Sequence, residues 1–223
     1  MLASRRVFVS GATGTGKSHF LRNVLLPRER RAIVLDYTAD FYAHRAELGG
    51  EVVVVESWSD VQRAARRLAH VDRWRMLAML DSTDSARLAS ALLPDRLHTG
   101  ASLSRALGGV ALVCDELNQF AAHSAPPAVL NLWRRGRHVG LTILGASQAP
   151  AEVAPVVRGM SRYLVLFAQH EPNALAYFAR VMPEPVLARL QDAERFGCLV
   201  YDAERREGFL LDSCARVRDT IRA

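Results

Sequence analysis

The sequence predicts an α/β fold, a mostly parallel central sheet flanked by helices and ending in a C-terminal β-hairpin. Three observations predict it. Short, continuous apolar runs alternate with helical segments along the chain, as strands and their crossover helices do. A glycine-rich loop, Gly11 to Gly16, stands between the first apolar run and the first helical segment. Near the end, two apolar runs flank the polar turn Ala203-Glu204-Arg205-Arg206.

Taken in order, residues 6–10 form a short strand that enters the glycine loop, and residues 17–26 a helix stopped by Pro27. Residues 32–36 and 51–56 are continuous apolar runs, the pattern of strands covered on both faces. From Ser59, a candidate N-cap, to His70 runs an amphipathic helix. Its inner positions are Val61, Ala64, Ala65 and Leu68, and its outer face carries Arg63, Arg66 and Arg67. Residues 74–80 read as another strand, and 81–99 as a polar loop with a short helix. The strongest buried-strand signal is 109–115. A helix follows over about 127–138, then strands at 141–147 and 162–168 and a helix at 172–181. Residues 198–202 and 208–212 close the chain as the hairpin.

With 223 residues, 50% of them hydrophobic, one core can organise the whole chain, so a single domain over 1–223 is expected. A mean hydropathy of +0.02 excludes a disordered protein. No apolar run approaches the roughly 20 residues that span a bilayer. The first strand begins almost at once, which leaves no room for a signal peptide. Cys114, Cys198 and Cys214 are widely spaced without CxxC or Cys/His pairing, so a reducing cytoplasm fits better than a disulfide framework or zinc site. The basic residues are 28 arginines and one lysine, Lys17. Drift from lysine to arginine explains the surface bias. The surviving lysine is expected where a compact ammonium cannot be replaced by a planar guanidinium. Net charge +6 points weakly to a polyanionic partner.

Lys17 falls in Gly11-Ala12-Thr13-Gly14-Thr15-Gly16-Lys17-Ser18, which fits the P-loop pattern G-x-x-x-x-G-K-[ST]. Glycines let the backbone turn its N–H groups toward phosphate oxygens, and the following helix adds the positive end of its dipole. Lys17 would reach the β- and γ-phosphates of ATP, and the Ser18 hydroxyl would ligate Mg²⁺. The apolar strand ending in Cys114-Asp115-Glu116 has the form of a Walker B motif. Asp115 would hold Mg²⁺ through water, and Glu116 could polarise the attacking water. The alternative for these acids is a helix N-cap. Gln148, after the next strand, would lie beside the γ-phosphate if its strand neighbours the P-loop strand. Otherwise it is an ordinary loop residue.

Together with Trp133-Arg134-Arg135-Gly136-Arg137-His138 and Ser147-Gln148-Ala149-Pro150, these motifs resemble the FtsK–HerA superfamily of P-loop motor ATPases. In that superfamily an R-x-G-R helix end leads into a strand closing with S-Q-x-P. The turn 36–40 also resembles the family's acidic turn, and the likeness spans about residues 5–180. The resemblance implies a RecA/FtsK-like sheet. A bare motor domain of this size is most similar to the genome-packaging ATPases of tailless, membrane-containing icosahedral viruses, the tectivirus-like lineage. That implies a homo-oligomeric ring, pentamer or hexamer, which pumps double-stranded DNA into a preformed capsid. Capsid-vertex or virion membrane proteins would be its partners, and the host cytoplasm or the virion packaging vertex its location.

The resemblance makes Arg137 and Arg134 the arginine-finger candidates, with Arg135 solvated or paired. The alternative is a charged helix end complementing its own dipole. Arg63, Arg66, Arg67, Arg73 and Arg75 read as a solvated face, with DNA contact as the alternative, and Arg87, Arg96 and Arg105 as weak candidates for phosphate contact. The sparse aromatic content argues against recognition of single strands by stacking. His123, His138 and His170 are isolated and read as structural. Two rival functions fit a P-loop chain of this length: a nucleoside or nucleotide kinase, and an ATP-switched virion or pilus assembly factor without DNA translocation. A kinase has no need of Glu116 directly after Asp115.

Overall fold

The computed structural model describes residues 5–93 and 102–222. Within them one sheet is built from β1 (Arg6–Ser10), β2 (Arg31–Leu35), β3 (Glu51–Val55), β4 (Trp74–Ala78), β5 (Ala111–Cys114), β6 (Thr142–Ser147), β7 (Tyr163–Leu166), β8 (Cys198–Asp202), β9 (Glu207–Leu211) and β10 (Val217–Arg222). The strands lie in the order β10-β9-β8-β7-β1-β6-β5-β2-β4-β3. From β7 to β3 they run parallel, while β8, β9 and β10 continue the same sheet antiparallel. The predicted class, a mostly parallel α/β sheet with a C-terminal hairpin, is the one observed.

Side chains alternate between two apolar layers, which is why the central strands read as unbroken apolar runs. On one face Phe8, Ile33, Met76, Leu112 and Ile143 pack with the helices Trp58–Leu68, Ser82–Leu92 and Pro127–Arg135. On the other, Val9, Val34, Leu77, Val113 and Leu144 pack against Phe20, Leu21 and Leu25. These last three belong to the helical run after the glycine loop. It starts as an α-helix at Lys17–Phe20, relaxes to a π-helical turn at Leu21–Leu25 and tightens to a 3₁₀ turn at Leu26–Arg28. The wide-turn bonding ends at Leu26, whose N–H reaches the Leu21 carbonyl, and Pro27 sits inside the short 3₁₀ turn that follows.

Several expectations need correction. β3 is not covered on both faces. It forms one edge of the sheet, and Val54 is exposed. The helix Trp58–Leu68 is capped by Ser57, whose hydroxyl accepts from the Asp60 N–H, and not by Ser59. Its inner and outer faces are as read. In the 81–99 region Asp81 caps the eleven-residue helix Ser82–Leu92 directly, and residues 94–99 lie outside the described residues. β10 went unread. Arg96 lies outside the described residues.

Arg75 is not part of a solvated face. Its side chain is buried on β4, where Nη1 donates to the carbonyls of Arg30 (2.9 Å) and Trp74 (2.8 Å). Nη2 donates to those of Glu29 (2.8 Å) and Leu26 (3.2 Å). Burial, together with the neighbouring charge of Arg73, lowers its pKa to about 10. The guanidinium thus adds a charged donor where the helical run ends, sharing the Leu26 carbonyl with the Glu29 N–H and the Arg30 carbonyl with the Trp74 N–H.

Candidate active site

Three adjacent strands bring the motif residues together. β6 lies between β1 and β5, so the loops after β1, β6 and β5 open side by side at the carboxyl ends of the strands. Ser10 on β1 is in register with Ser147 on β6, and Cys114 on β5 with Gly145. This register carries Gln148 to a position between the glycine loop and Asp115-Glu116. Loops at such strand ends are where open α/β sheets bind ligands.

The glycine loop is shaped by two residues in the left-handed region, Gly14 (φ 74°) and Gly16 (φ 108°). At Gly11 the constraint is contact: a Cβ there would stand 2.6 Å from Phe167 Cβ and 2.8 Å from Thr15 Oγ1. Ala12 N–H donates to the Ala168 carbonyl (3.0 Å) and Thr15 Oγ1 to the Ala12 carbonyl (2.7 Å). Lys17 folds back over the loop, its Nζ donating to the same Ala12 carbonyl at 2.8 Å. Burial lowers the Lys17 pKa, and the charges of Glu116 and Asp115 oppose that shift.

Ser18 Oγ lies 3.0 and 3.2 Å from the two carboxylate oxygens of Asp115. Thr38 Oγ1 donates to Asp115 Oδ2 at 3.1 Å. Burial raises the Asp115 pKa; the Ser18 and Thr38 bonds work against this, and Asp40 and Asp36 add to it. Glu116 is 92% buried, since only 8% of its surface remains exposed, and burial raises its pKa as well. Gln148 Nε2 donates to Glu116 Oε1 at 2.8 Å, while Gln148 Oε1 accepts from Thr13 Oγ1 at 2.5 Å.

Thr38 is the site residue that sequence reasoning missed. It stands three residues past β2, the strand beside β5, so its hydroxyl meets a carboxylate one residue past β5. A hydroxyl just beyond the neighbouring strand was the available signal. In the same turn, Asp36 accepts the N–H groups of Tyr42 (2.7 Å) and Phe41 (3.4 Å), and Asp40 pairs with Arg22. Those two acids hold the turn in shape.

The arginines lie elsewhere. Arg6, at the start of β1, donates through Nη1 to the Trp133 carbonyl (2.7 Å). Burial lowers the Arg6 pKa, and the charge of Arg137 lowers it further. The 134–137 helix end therefore sits by the amino ends of the strands. From Arg6 to Ser10 the sheet spans about 13 Å at roughly 3.3 Å per residue, so Arg134 and Arg137 are remote from the glycine loop of their own chain. Both are exposed, and Arg137 Nε approaches His138 Nε2 at 3.4 Å.

The donor set around Ser18 consists of oxygens alone, from Ser18, Asp115 and Thr38, which suits a hard divalent cation. Among the described residues no cluster of three or more His, Cys, Asp or Glu could hold a metal by itself. Magnesium fits this sparse set, because phosphate oxygens and waters ordinarily complete its shell.

No protein-family profile matches the sequence, and no curated protein matches it. Solved structures do. The genome packaging NTPase B204 of Sulfolobus turreted icosahedral virus 2, in complex with sulfate, aligns with a TM-score of 0.71 and 18% identity, covering 94% of this chain and 96% of that one. Its AMP complex aligns at 0.72 and 18%, covering 94% and 98%. B204 of Sulfolobus turreted icosahedral virus, a DNA-packaging ATPase, aligns at 0.64 and 15%, covering 99% and 98%. This chain has the fold of a viral genome-packaging NTPase. That P-loop NTPase fold agrees with the FtsK–HerA likeness carried by the motifs. It also covers the C-terminal strands, for which the motifs had no counterpart.

Proposed function

We propose that this chain is an ATP-hydrolysing motor that packages double-stranded DNA into a preformed viral capsid as a homo-oligomeric ring. The observation that carries the reading is Glu116, a buried carboxylate bonded to Gln148 and set one residue from Asp115, which bonds Ser18. One acid thus stands with the P-loop hydroxyl while the second is left to work on water. The fold shared with B204, named as a genome packaging NTPase, supports the packaging role.

In this reading the N–H groups of Gly11 to Lys17 cradle the phosphates, and Lys17 leaves the Ala12 carbonyl for the β- and γ-oxygens. Ser18 and Asp115, the latter through water, hold Mg²⁺, which when bound neutralises phosphate charge. Glu116 accepts the proton of the attacking water, and Gln148 orients that water. Arg137 or Arg134 comes from the neighbouring subunit to the γ-phosphate, since neither reaches the site of its own chain. The capsid vertex or virion membrane proteins seat the ring, at the packaging vertex or in the host cytoplasm. Among the described residues no helix is long and apolar enough to cross a membrane.

The test is steady-state ATP turnover with and without double-stranded DNA. Phosphate release that rises with DNA is expected. Phosphate transfer to a nucleoside acceptor would instead mark a kinase, and turnover indifferent to DNA an ATP-switched assembly factor.

A further inference from the structure

Beside the P-loop lies a second concavity that the phosphate machinery does not use. It has a volume of about 290 Å³ and is lined by Gly16, His19, Phe167, Phe196, Asp212 and Ala215, among others. Four separate parts of the chain meet there: the glycine loop with its helix, the end of β7, the loop before β8, and the β9–β10 turn. The volume lies at the lower end of the range for small-molecule pockets, roughly 300 Å³ upward. It accommodates a flat ring system rather than a large ligand.

Phe196 is the distinctive wall. It is 46% exposed, although it is a large aromatic residue, and its backbone lies in the left-handed region at φ 66°. A bulky residue there is strained, and such strain persists only where surrounding contacts fix it. Glu194 supplies them. Its carbonyl accepts from Gly197 N–H (2.9 Å), and its carboxylate accepts from Ser213 N–H (3.1 Å) and Arg218 Nη1 (3.3 Å). The Phe196 loop is thereby clamped to the β9–β10 turn across the cavity. The Arg195 guanidinium lies 4.9 Å from the Phe196 ring centroid and adds a cation–π contact. A Cβ built on Gly16 would stand 3.6 Å from Phe196 Cδ1, so the ring borders the last glycine before Lys17.

We propose that this cleft receives the nucleobase of the bound nucleotide, with Phe196 as its stacking platform, and that it prefers purines to pyrimidines. The proposal rests on the P-loop reading, which puts the phosphates on the other side of Gly16. Purines are favoured because the recognition is by face area. Asp212, the acid on the wall, uses Oδ1 to accept the N–H groups of Cys214 (2.9 Å) and Arg216 (2.8 Å) in its own turn. Stacking on one aromatic face distinguishes large bases from small ones and discriminates little between adenine and guanine.

Calorimetric binding of Mg·ATP, Mg·CTP and Mg·tripolyphosphate to the full chain, to Phe196→Ala and to Phe196→Trp tests this. Wild type should bind ATP more tightly than CTP or tripolyphosphate. Phe196→Ala should weaken ATP by roughly tenfold, the scale of one lost base–aromatic stack, and leave tripolyphosphate unchanged. Phe196→Trp should restore ATP binding. Undiminished ATP affinity in Phe196→Ala, or equal weakening of tripolyphosphate, would overturn the base pocket while leaving the P-loop reading intact. If wild type binds neither ATP nor tripolyphosphate, the P-loop reading fails and the pocket with it.

Discussion

Gln148 Nε2 stands 2.8 Å from Glu116 Oε1, so the amide that closes β6 holds the carboxylate that follows β5. Glu116→Gln should keep ATP and Mg²⁺ bound and stop turnover, since an amide cannot take the water's proton. A loss of about 10²- to 10⁴-fold in kcat is expected for a removed general base. Gln148→Ala should lower kcat less and leave the Kd for ATP unchanged. Equilibrium binding and single-turnover hydrolysis on the same preparations separate the two effects. If Glu116→Gln loses binding while Asp115→Asn turns over freely, the two acids have exchanged roles.

Lys17→Ala removes the only lysine of the chain from a buried position against the Ala12 carbonyl. Turnover should vanish and nucleotide affinity fall, because the β- and γ-phosphate charge loses its counter-ion. Normal turnover in this variant would sink the P-loop assignment.

The distance between the arginines and their own glycine loop predicts complementation. Arg137→Ala, or failing that Arg134→Ala, should leave ATP affinity of the isolated chain nearly intact. The same change should lower turnover of assembled rings by about a thousandfold, the scale of a lost arginine finger. Mixing Arg137→Ala with Glu116→Gln chains should restore part of the activity, since one chain's intact site borrows the other's arginine. No recovery in rings shown to be mixed would mean that these arginines only cap their helix.

Acid stability should depend on Asp202. Its partial burial pushes the carboxyl pKa up, but the bond from Arg162 Nη2 (3.2 Å) and the N–H groups of Arg205 and Glu204 hold it below the ordinary value. A carboxylate with a depressed folded pKa stabilises the fold above its unfolded pKa of about 3.9, and that contribution is lost as pH falls through the folded value. Arg162→Gln should therefore lower the thermal midpoint at pH 7 and have much less effect near pH 2. Equal effects at both pH values would show that packing, not ionisation, is at stake.

Arg75→Met should destabilise the chain by roughly 1–3 kcal/mol, because the buried carbonyls lose a charged donor while those of Leu26 and Arg30 keep the N–H groups of Glu29 and Trp74. Urea unfolding at constant m-value is the measurement. A loss below 1 kcal/mol would mean that water replaces the guanidinium.

Motifs with a fixed backbone requirement were legible in the sequence. Gly14 and Gly16 announce positive φ, Lys17 was singled out by the absence of any other lysine, and Asp115-Glu116 follow an unmistakable apolar strand. What depended on strand order was not. Residues 51–56 read as a buried strand because four valines follow one another, yet β3 has a neighbour on one side only. Thr38 gained its partner only once β2 was placed next to β5. Arg75 sat among surface arginines by composition, and nothing local marked it as the donor for carbonyls some 45 residues earlier. β10, Val217-Arg218-Asp219-Thr220-Ile221-Arg222, has neither an apolar run nor a strict alternation, and its pairing with β9 is broken by a register shift between Val217 and Asp219.

Arg75 also has a mechanical consequence. Its guanidinium bonds the last carbonyls of the helical run that starts at Lys17, and it does so from β4, the strand next to the edge strand β3. The run is anchored at its tail, and its one relaxed turn, Leu21–Leu25, lies between that anchor and the phosphate end. Force arising at the phosphates cannot be dissipated by the helix sliding over the sheet without stranding a buried cation. The run behaves as a strut with a compliant middle, bolted to the frame. A displacement at the phosphate end would thereby pass into the loops at the carboxyl ends of β5 and β6.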